Sequence, residues 1–135
     1  MMIDLLIDTN VWIYAMDKKS IYCQFAQGIL LNPNHNLFIT SKNISEFFAV
    51  TSKKKIDPNS CLISFYEIKT VTKILFPTLE SLSIFEKLIQ QYQPKGNQVF
   101  DIEIVSIMLD NGINHIATFN QKDFINISEI QIFKL

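Results

Sequence analysis

The chain has 135 residues, with 12 basic and 13 acidic side chains and a formal net charge of -1. This length suits one domain, which we expect to span residues 1–135 and to bury a core without disulfides or structural metal. Hydrophobic residues make up 48% and charged residues 19% of the chain, which excludes global disorder. The near-neutral charge argues against a protein that coats nucleic acid non-specifically. It leaves open a nuclease that meets phosphates through metal ions.

Cys23 and Cys61 are too few and too far apart to indicate a zinc site or a disulfide framework, so we expect both to be small core side chains. The apolar N-terminus carries Asp4, Asp8 and Asp17 and no early lysine cluster, which is not the pattern of a signal peptide. No uninterrupted apolar run reaches the roughly 18 residues of a membrane span. We therefore expect a cytoplasmic protein without a membrane segment.

The first half of the chain alternates short apolar runs with helical patterns. Residues 3–7 form an apolar run that ends at Asp8 and predicts a buried, parallel strand. A helix capped by Asp8, Thr9 or Asn10 is expected to follow. The other elements predicted in this half are helices over 11–16 and 20–31, a strand over 37–40, a helix from 41–43 to 53–55 and a helix from Asp57-Pro58.

The second half continues the alternation. It predicts a β-rich run over 70–76, a helix over 78–92 capped by Thr78, a very apolar helix over 99–109, and strands over 115–118 and 129–135. Strands that alternate with helices predict βαβ units and a central parallel sheet.

Four acids stand where such a sheet places its ligands, outside the carboxyl ends of the strands. Asp8 ends the first strand, Glu46 lies on the helix after the second, Asp101 begins the apolar helix, and Asp123 follows the strand over 115–118. Each has a simple structural explanation when taken alone. Asp8 would cap a helix, Glu46 would pair with a lysine four residues earlier, Asp101 would favour the helix dipole, and Asp123 would cap a turn.

Together, the four carboxylates point to metal chemistry. Crowding them at one sheet edge raises their pKa values and destabilises the fold unless a cation neutralises them. Mg²⁺ and Mn²⁺ favour oxygen ligands and, at a phosphodiester, supply an activated water and stabilise the leaving oxygen. The chain has no convincing alternative set, because His35 falls in a predicted loop and His115 begins a strand.

Four short segments carry a resemblance to a known family. They are Ile7-Asp8-Thr9-Asn10-Val11, Ser45-Glu46-Phe47, Phe100-Asp101-Ile102-Glu103 and Thr118-Phe119-Asn120-Gln121-Lys122-Asp123-Phe124. In their order, spacing and position the chain resembles a PIN domain, and specifically the VapC-like toxin ribonucleases. The resemblance covers nearly the whole chain. It implies a three-layer α/β/α sandwich around a mainly parallel sheet of four to five strands, and Mg²⁺- or Mn²⁺-dependent cleavage of RNA.

The resemblance also implies roles for single side chains. Asp8 and Asp101 match the family's best metal ligands, and Glu46 matches a helix acid that ligates metal or orients water. Many relatives carry aspartate where this chain has Asn120, so either Asn120 or Asp123 completes the acidic cluster. We expect Asp123 to complete it and Asn120 to supply a neutral oxygen or a hydrogen bond.

Other polar residues are expected to support this site. Those that would orient the carboxylates by hydrogen bonds are Thr9, Asn10 and Thr118. All the basic residues are lysines, which act as point charges where arginine would grip a phosphate with two bonds. The candidate RNA contacts are Lys42, Lys53, Lys54, Lys55 and Lys122. The run over 53–55 is also typical of a solvated helix end.

The resemblance further implies an antitoxin partner, whose segment fills the acidic groove, and a homodimer. Aromatic side chains that an interface could use are more simply explained by packing, because they bury large areas. They are Trp12, Tyr14, Tyr22 and the Phe65-Tyr66 pair.

The main hypothesis is therefore a metal-dependent endoribonuclease that is the toxin of a toxin–antitoxin pair. The alternative is a PIN-fold module that binds a partner or RNA without competent catalysis, as the loss of a charge at Asn120 would allow. A phosphotransfer domain with Asp8 as nucleophile is disfavoured, because the sequence after Asp8 lacks the second aspartate that such phosphatases use.

Overall fold

A parallel sheet forms the middle layer of the protein, with strand order β3-β2-β1-β4-β5. The computed structural model describes residues 1–134. Every neighbouring pair of strands in the sheet is parallel. The strands are β1 (Ile3–Ile7), β2 (His35–Thr40), β3 (Thr72–Leu75), β4 (His115–Ala117) and β5 (Gln131–Ile132). The predicted sheet is confirmed.

Helices connect β1 to β2, β2 to β3 and β3 to β4, and a loop joins β4 to β5. The helices are α1 (Thr9–Met16), α2 (Cys23–Leu31), α3 (Ser41–Lys53), α4 (Pro58–Val71), α5 (Leu79–Tyr92) and α6 (Gln98–Asp110). A short 3₁₀ turn over Gln121–Asp123 follows β4. No helix within the described residues is long and apolar enough to cross a membrane.

Two separate cores lie on the two faces of the sheet. Successive side chains of β1 point to opposite faces, so Leu5 and Ile7 join one core and Leu6 joins the other. The first core packs against α1 to α4 and includes the buried Cys61, and Cys23 is also buried and free. The second packs against α5 and α6. The chain is therefore an α/β/α sandwich, and both cysteines are core side chains as predicted.

Side-chain caps fix where helices start. Asp57 caps α4 with Pro58 as its first residue, and Thr78 caps α5, as the sequence predicts. At α3, Thr40 and Asn43 form a capping box in which each side chain accepts the other's backbone N–H. Thr40 is also the last residue of β2. This box therefore joins the end of a strand directly to the start of a helix.

The predicted start of α2 was too early. The helix begins at Cys23 instead of Ser20, because the residues before it form turns. Ser20 N–H donates to the Asp17 carbonyl at 3.0 Å, and Cys23 N–H donates to the Ser20 carbonyl at 3.2 Å.

Three strand boundaries also differ from the prediction. The β-rich run over 70–76 is a strand only over Thr72–Leu75, because α4 continues to Val71. Conversely, β2 starts within the predicted loop, where His35 pairs with Ile3. The last predicted strand is reduced to Gln131–Ile132, and Leu135 lies outside the described residues. Pairing partners set these limits, and β-propensity alone does not reveal them.

Replacing Phe47 with alanine should destabilise the fold strongly. Its fully buried ring stacks on Trp12 with centroids 3.5 Å apart and planes 2° from parallel. Removing a buried phenylalanine typically lowers the free energy of unfolding by about 3–5 kcal/mol. Urea denaturation of Phe47→Ala measures this loss. The control is Phe76→Ala, which removes a ring that is 61% exposed, and we expect a change within about 0.5 kcal/mol. Equal losses in the two variants would contradict this account of the core.

Candidate active site

Asp8 is a buried carboxylate at the carboxyl end of the central strand. It follows β1 directly and caps α1, where its Oδ1 accepts the Thr9 N–H at 2.8 Å. Its Oδ2 accepts the Thr118 hydroxyl at 2.8 Å and the Asn10 amide at 3.1 Å. Of the three caps that the sequence left open for α1, Asp8 is therefore the one used. These donors hold the carboxylate in one orientation.

The same donors fasten the loop after β4 to Asp8. Asn10 Oδ1 accepts the backbone N–H of Phe119 at 3.0 Å, and Asn10 Nδ2 donates to Thr118 Oγ1 at 3.2 Å. Thr118 Oγ1 also accepts the backbone N–H of Asn120 at 3.0 Å. The predicted supporting residues Asn10 and Thr118 thus contact Asp8, and Asn120 is connected to it through Thr118.

Asn43 is a further supporting residue that the sequence analysis missed. It is fully buried, and its Nδ2 lies 3.2 Å from Thr9 Oγ1 and 3.5 Å from Asp8 Oδ1. Its Oδ1 accepts the backbone N–H of Thr40 at 3.0 Å and the Thr40 hydroxyl at 2.7 Å. One amide thereby links the end of β2 to the end of β1. The sequence signal was an asparagine three residues after a strand-ending threonine, which is the spacing of a capping box.

Asp101 lies in the first turn of α6 and is half-buried. Burial, followed by repulsion from Asp123, Asp8 and Glu46, raises its pKa to about 7. The other three predicted acids therefore act on Asp101 through space. Asp123 itself is exposed in the 3₁₀ turn after β4.

The pKa values of Asp8 and Glu46 are raised as well. For Asp8 the main cause is burial, which outweighs the hydrogen bonds from Thr118, Thr9 and Asn10. Glu46 is exposed as a whole side chain, but desolvation of its carboxyl group and repulsion from Asp8 raise its pKa. Four acids from separate parts of the chain therefore form one electrostatic group at the carboxyl edge of the sheet.

The donor set of this group suits a hard divalent cation, because it offers only carboxylate and amide oxygens. Within residues 1–134, however, no three histidine, cysteine, aspartate or glutamate side chains lie close enough together to hold a metal ion. If these carboxylates moved closer together, the repulsion between them would increase, and a bound cation would offset that repulsion. The residues fit such an ion in chemistry and charge, and side-chain movement would have to complete its coordination.

The candidate RNA contacts lie at different distances from this group. Lys42 Nζ is 3.7 Å from Glu103 Oε1 and 4.2 Å from the centre of the Phe100 ring. Its positive charge offsets part of the rise in the Glu46 pKa. Lys42 thus forms its ion pair with Glu103, not with Glu46, and lies at the edge of the acidic group. Lys53 ends α3, about 10 Å along the helix from Glu46 at 1.5 Å per residue. Lys122 is exposed in the 3₁₀ turn.

The model of one protein family, the PIN domain, matches residues 5–130. The chain belongs to the PIN domain family. A search of curated protein sequences found no match to it.

Solved structures resemble this PIN domain over nearly its whole length. VapBC2 from Rickettsia felis, bound to a DNA fragment from its promoter, aligns with a TM-score of 0.76 and 20% identity, covering 98% of this chain and 99% of that one. VapBC-1 from nontypeable Haemophilus influenzae aligns with a TM-score of 0.74 and 20% identity, and the alignment covers 98% of each chain. The sarcin-ricin loop cleaving toxin VapC20 from Mycobacterium tuberculosis aligns with a TM-score of 0.70 and 11% identity. The alignment covers 90% of this chain and 93% of that one. These likenesses confirm the predicted fold.

Charging Asp101 should destabilise the metal-free protein. Its pKa rises from an ordinary 3.8 to about 7 on folding, so between these values the folded protein keeps a proton that the unfolded chain has released. This contribution to the free energy of unfolding therefore falls as pH rises through that window. Asp101→Asn should gain stability relative to wild type from pH 4 to pH 8 in EDTA, as measured by urea denaturation. Saturating Mg²⁺ at pH 8 should narrow the difference, and a difference independent of pH would contradict the electrostatic group.

Removing the Asn43 amide should destabilise the protein, because it leaves Thr40 and Thr9 groups without their buried partner. We expect Asn43→Ala to lower the free energy of unfolding by about 1–3 kcal/mol. The matched control is Asn36→Ala, whose exposed amide donates to the exposed Asp4 at 3.0 Å. Thermal and urea unfolding of both variants compare the losses. A loss for Asn43→Ala no larger than for the control would be evidence against its linking role.

Proposed function

We propose that this PIN domain is a Mg²⁺- or Mn²⁺-dependent endoribonuclease and the toxin of a toxin–antitoxin pair. PIN domains are generally nucleases, and the observation that carries the proposal is the electrostatic group of four acids. The negative charges of Asp123, Asp8 and Glu46 each contribute to the raised pKa of Asp101. A group of like charges around a buried carboxylate is unfavourable for stability alone, and carboxylates are the donors that divalent-metal phosphodiester chemistry uses.

Asp8 and Asp101 would be the principal metal ligands in this proposal. Glu46 would ligate or orient a water, and Asp123 would complete the cluster, with Asn120 supplying a neutral oxygen or a hydrogen bond. The bound ion would polarise the phosphodiester and activate water for in-line attack.

The chain's own residues would supply orientation and proton transfer. Thr9, Asn10 and Thr118 hold the Asp8 carboxylate at fixed hydrogen bonds, so it would not need to be reordered on binding. Glu46, in its role of orienting the water, would be placed to accept a proton from it.

The substrate would be a single RNA strand held partly by lysines. Lys42 lies at the edge of the acidic group, Lys122 is exposed next to Asp123, and Lys53 would contact more distant phosphates. The similar toxin from Mycobacterium tuberculosis is described as cleaving the sarcin-ricin loop, which supports RNA as the substrate class. We propose that the protein acts in the cytoplasm, where RNA would be available as its substrate.

An antitoxin protein would be the second partner. The similar VapBC structures include a complex bound to promoter DNA, and another similar structure is a toxin–antitoxin complex from Klebsiella pneumoniae. We propose that an antitoxin segment fills the acidic groove here and that the protein forms a homodimer.

A binding module without catalysis is the second candidate. It is favoured by the separation of the acids, no three of which are close enough to hold a metal within residues 1–134. Asn120 also favours the binding module, because many relatives carry an acid at this position and its amide brings no negative charge to the site.

Neutralising either principal ligand should abolish cleavage and keep the fold. For Asp8→Asn and Asp101→Asn we expect cleavage of a single-stranded RNA pool in Mg²⁺ or Mn²⁺ to fall by about 10²- to 10⁴-fold. The matched control is Asp4→Asn, which removes an exposed acid near the opposite end of β1. It should cleave as wild type. Full activity of a purified Asp8→Asn/Asp101→Asn double variant would refute the proposed function.

Metal binding separates the two candidates. Calorimetric titration of the metal-free protein with Mn²⁺ should show binding that Asp8→Asn and Asp101→Asn lose and that Asp4→Asn retains. A nuclease requires this carboxylate-dependent affinity, whereas a module without catalysis needs none. Absence of measurable Mn²⁺ affinity in the wild type would favour the module.

A further inference from the structure

An aromatic pocket opens beside the candidate active site. This aromatic pocket has a volume of about 360 Å³. Its lining residues are Tyr14, Tyr22, Phe25, Phe119, Asn120 and Gln121. Its walls come from α1, the start of α2 and the loop after β4. A volume in this range is large enough for a small planar ligand.

Three rings of the pocket hold one another in place. The Phe119 ring centre lies 5.0 Å from those of Tyr14 and Tyr22, and the two tyrosine rings are 5.1 Å apart. Their planes are tilted or edge-on, so they pack in the geometry that aromatic pairs prefer. The cluster is therefore ordered before any ligand arrives.

Packing accounts for only part of these side chains. Phe25 is 64% exposed and Tyr22 is 41% exposed, and both line the pocket. Large aromatic surface left in water beside a concave site is typical of ligand contact, whereas single exposed residues elsewhere need no explanation. Packing was the simplest explanation that the sequence offered for Tyr14 and Tyr22, and it does not account for the exposed part of the Tyr22 side chain.

Hydrogen bonds connect the residues that line the pocket to the Asp8 carboxylate. Asn10 accepts the Phe119 N–H at 3.0 Å and donates to Asp8 Oδ2 at 3.1 Å. Asn120 lines the pocket, and its N–H donates at 3.0 Å to Thr118 Oγ1, which in turn donates to Asp8. A group bound in the pocket would thus be held at a fixed position relative to Asp8.

The lining matches the chemistry of a nucleobase. Every base has a π face that stacks on aromatic rings, and its edge carries both donors and acceptors. Asn120 and Gln121 each offer an amide with both kinds of group, as base edges require. Lys18 and Lys19 are exposed in the turn that leads to Tyr22, where they would favour a nearby phosphate backbone.

We propose that the aromatic pocket binds an unpaired nucleobase of the RNA strand next to the phosphate that is cleaved. Tyr22 and Phe25 supply the stacking surface, and Gln121 contacts the base edge. This inference rests on the proposed ribonuclease function and names the part of the substrate that the site recognises. The pocket then determines which phosphodiester bond in a single strand reaches Asp8 and Asp101.

The first test measures RNA binding in EDTA, where catalysis plays no part. The probes are a fluorescein-labelled decamer RNA pool of random sequence and a decamer of the same backbone with abasic ribose throughout, followed by fluorescence anisotropy. Wild type should bind the random pool more tightly than the abasic strand. Tyr22→Ala should weaken binding of the pool by about 5- to 100-fold, the range expected for loss of one base–aromatic stack, and leave the abasic strand unchanged.

Three further variants control this measurement. Tyr22→Phe keeps the ring and should bind as wild type. Leu31→Ala removes another exposed apolar side chain of α2, which is 76% exposed and lies outside the aromatic pocket, and it should also bind as wild type. If Tyr22→Ala does not fold, Phe25→Ala tests the same stacking surface. Equal affinity of wild type, Tyr22→Ala and Phe25→Ala for the pool would overturn the inference, and the pocket would then fit a protein segment better.

The second test measures specificity of cleavage. Sequencing the products of the random pool should reveal a base preference at one position beside the cut in the wild type. Gln121→Ala should relax that preference, and Tyr22→Ala should raise KM more than it lowers kcat, because stacking is present before and during the reaction. An unchanged preference and KM in both variants would overturn the inference while leaving the ribonuclease proposal intact.

Failure of the proposed function has a different signature. If wild type does not cleave RNA but binds the pool in a Tyr22-dependent way, the ribonuclease proposal fails and the base pocket stands. If wild type neither cleaves the pool nor prefers it over the abasic strand, both are overturned.

Discussion

The site depends on a single buried carboxylate. Asp8 stands where β1 becomes α1, and burial raises the pKa of its carboxyl group. An ionised carboxylate is tolerated in such a place only when donors surround it. Thr9, Asn10 and Thr118 provide those donors, and the same side chains tie β1 to the loop after β4. The requirement to solvate one charge therefore also arranges the strand ends around it.

The remaining acids turn this local arrangement into a functional one. Among the described residues, no comparable set of donors surrounds Asp101, and its pKa rises to about 7 through burial and repulsion from the other three acids. A chain selected for stability alone would not place an acid where three other carboxylates disfavour its ionisation, as they do for Asp101. Their separation and their mutual repulsion are consistent with each other. Lys42 offsets part of the rise in the Glu46 pKa but does not neutralise the whole group. A divalent cation would do so.

Much of this could be predicted from the sequence. The strand and helix alternation and the caps at Asp57 and Thr78 are local signals, and the structure confirmed them. The convergence of the acids was also expected, because parallel strands bring their carboxyl ends to one edge. What the sequence could not give are contacts between distant residues. The bond between Asn43 and Thr9, 34 positions apart, is one, and the pairing of Lys42 with Glu103 is another.

The central claim is that distant acids meet to hold a divalent cation. The most direct measurement is a crystal structure of the protein soaked in Mn²⁺, with data collected at a wavelength where manganese scatters anomalously. The account predicts an anomalous peak with Asp8 and Asp101 as ligands and the Glu46 or Asp123 carboxylate drawn towards it. A fully soaked crystal with no peak at that edge of the sheet, or with manganese bound only elsewhere, would contradict it.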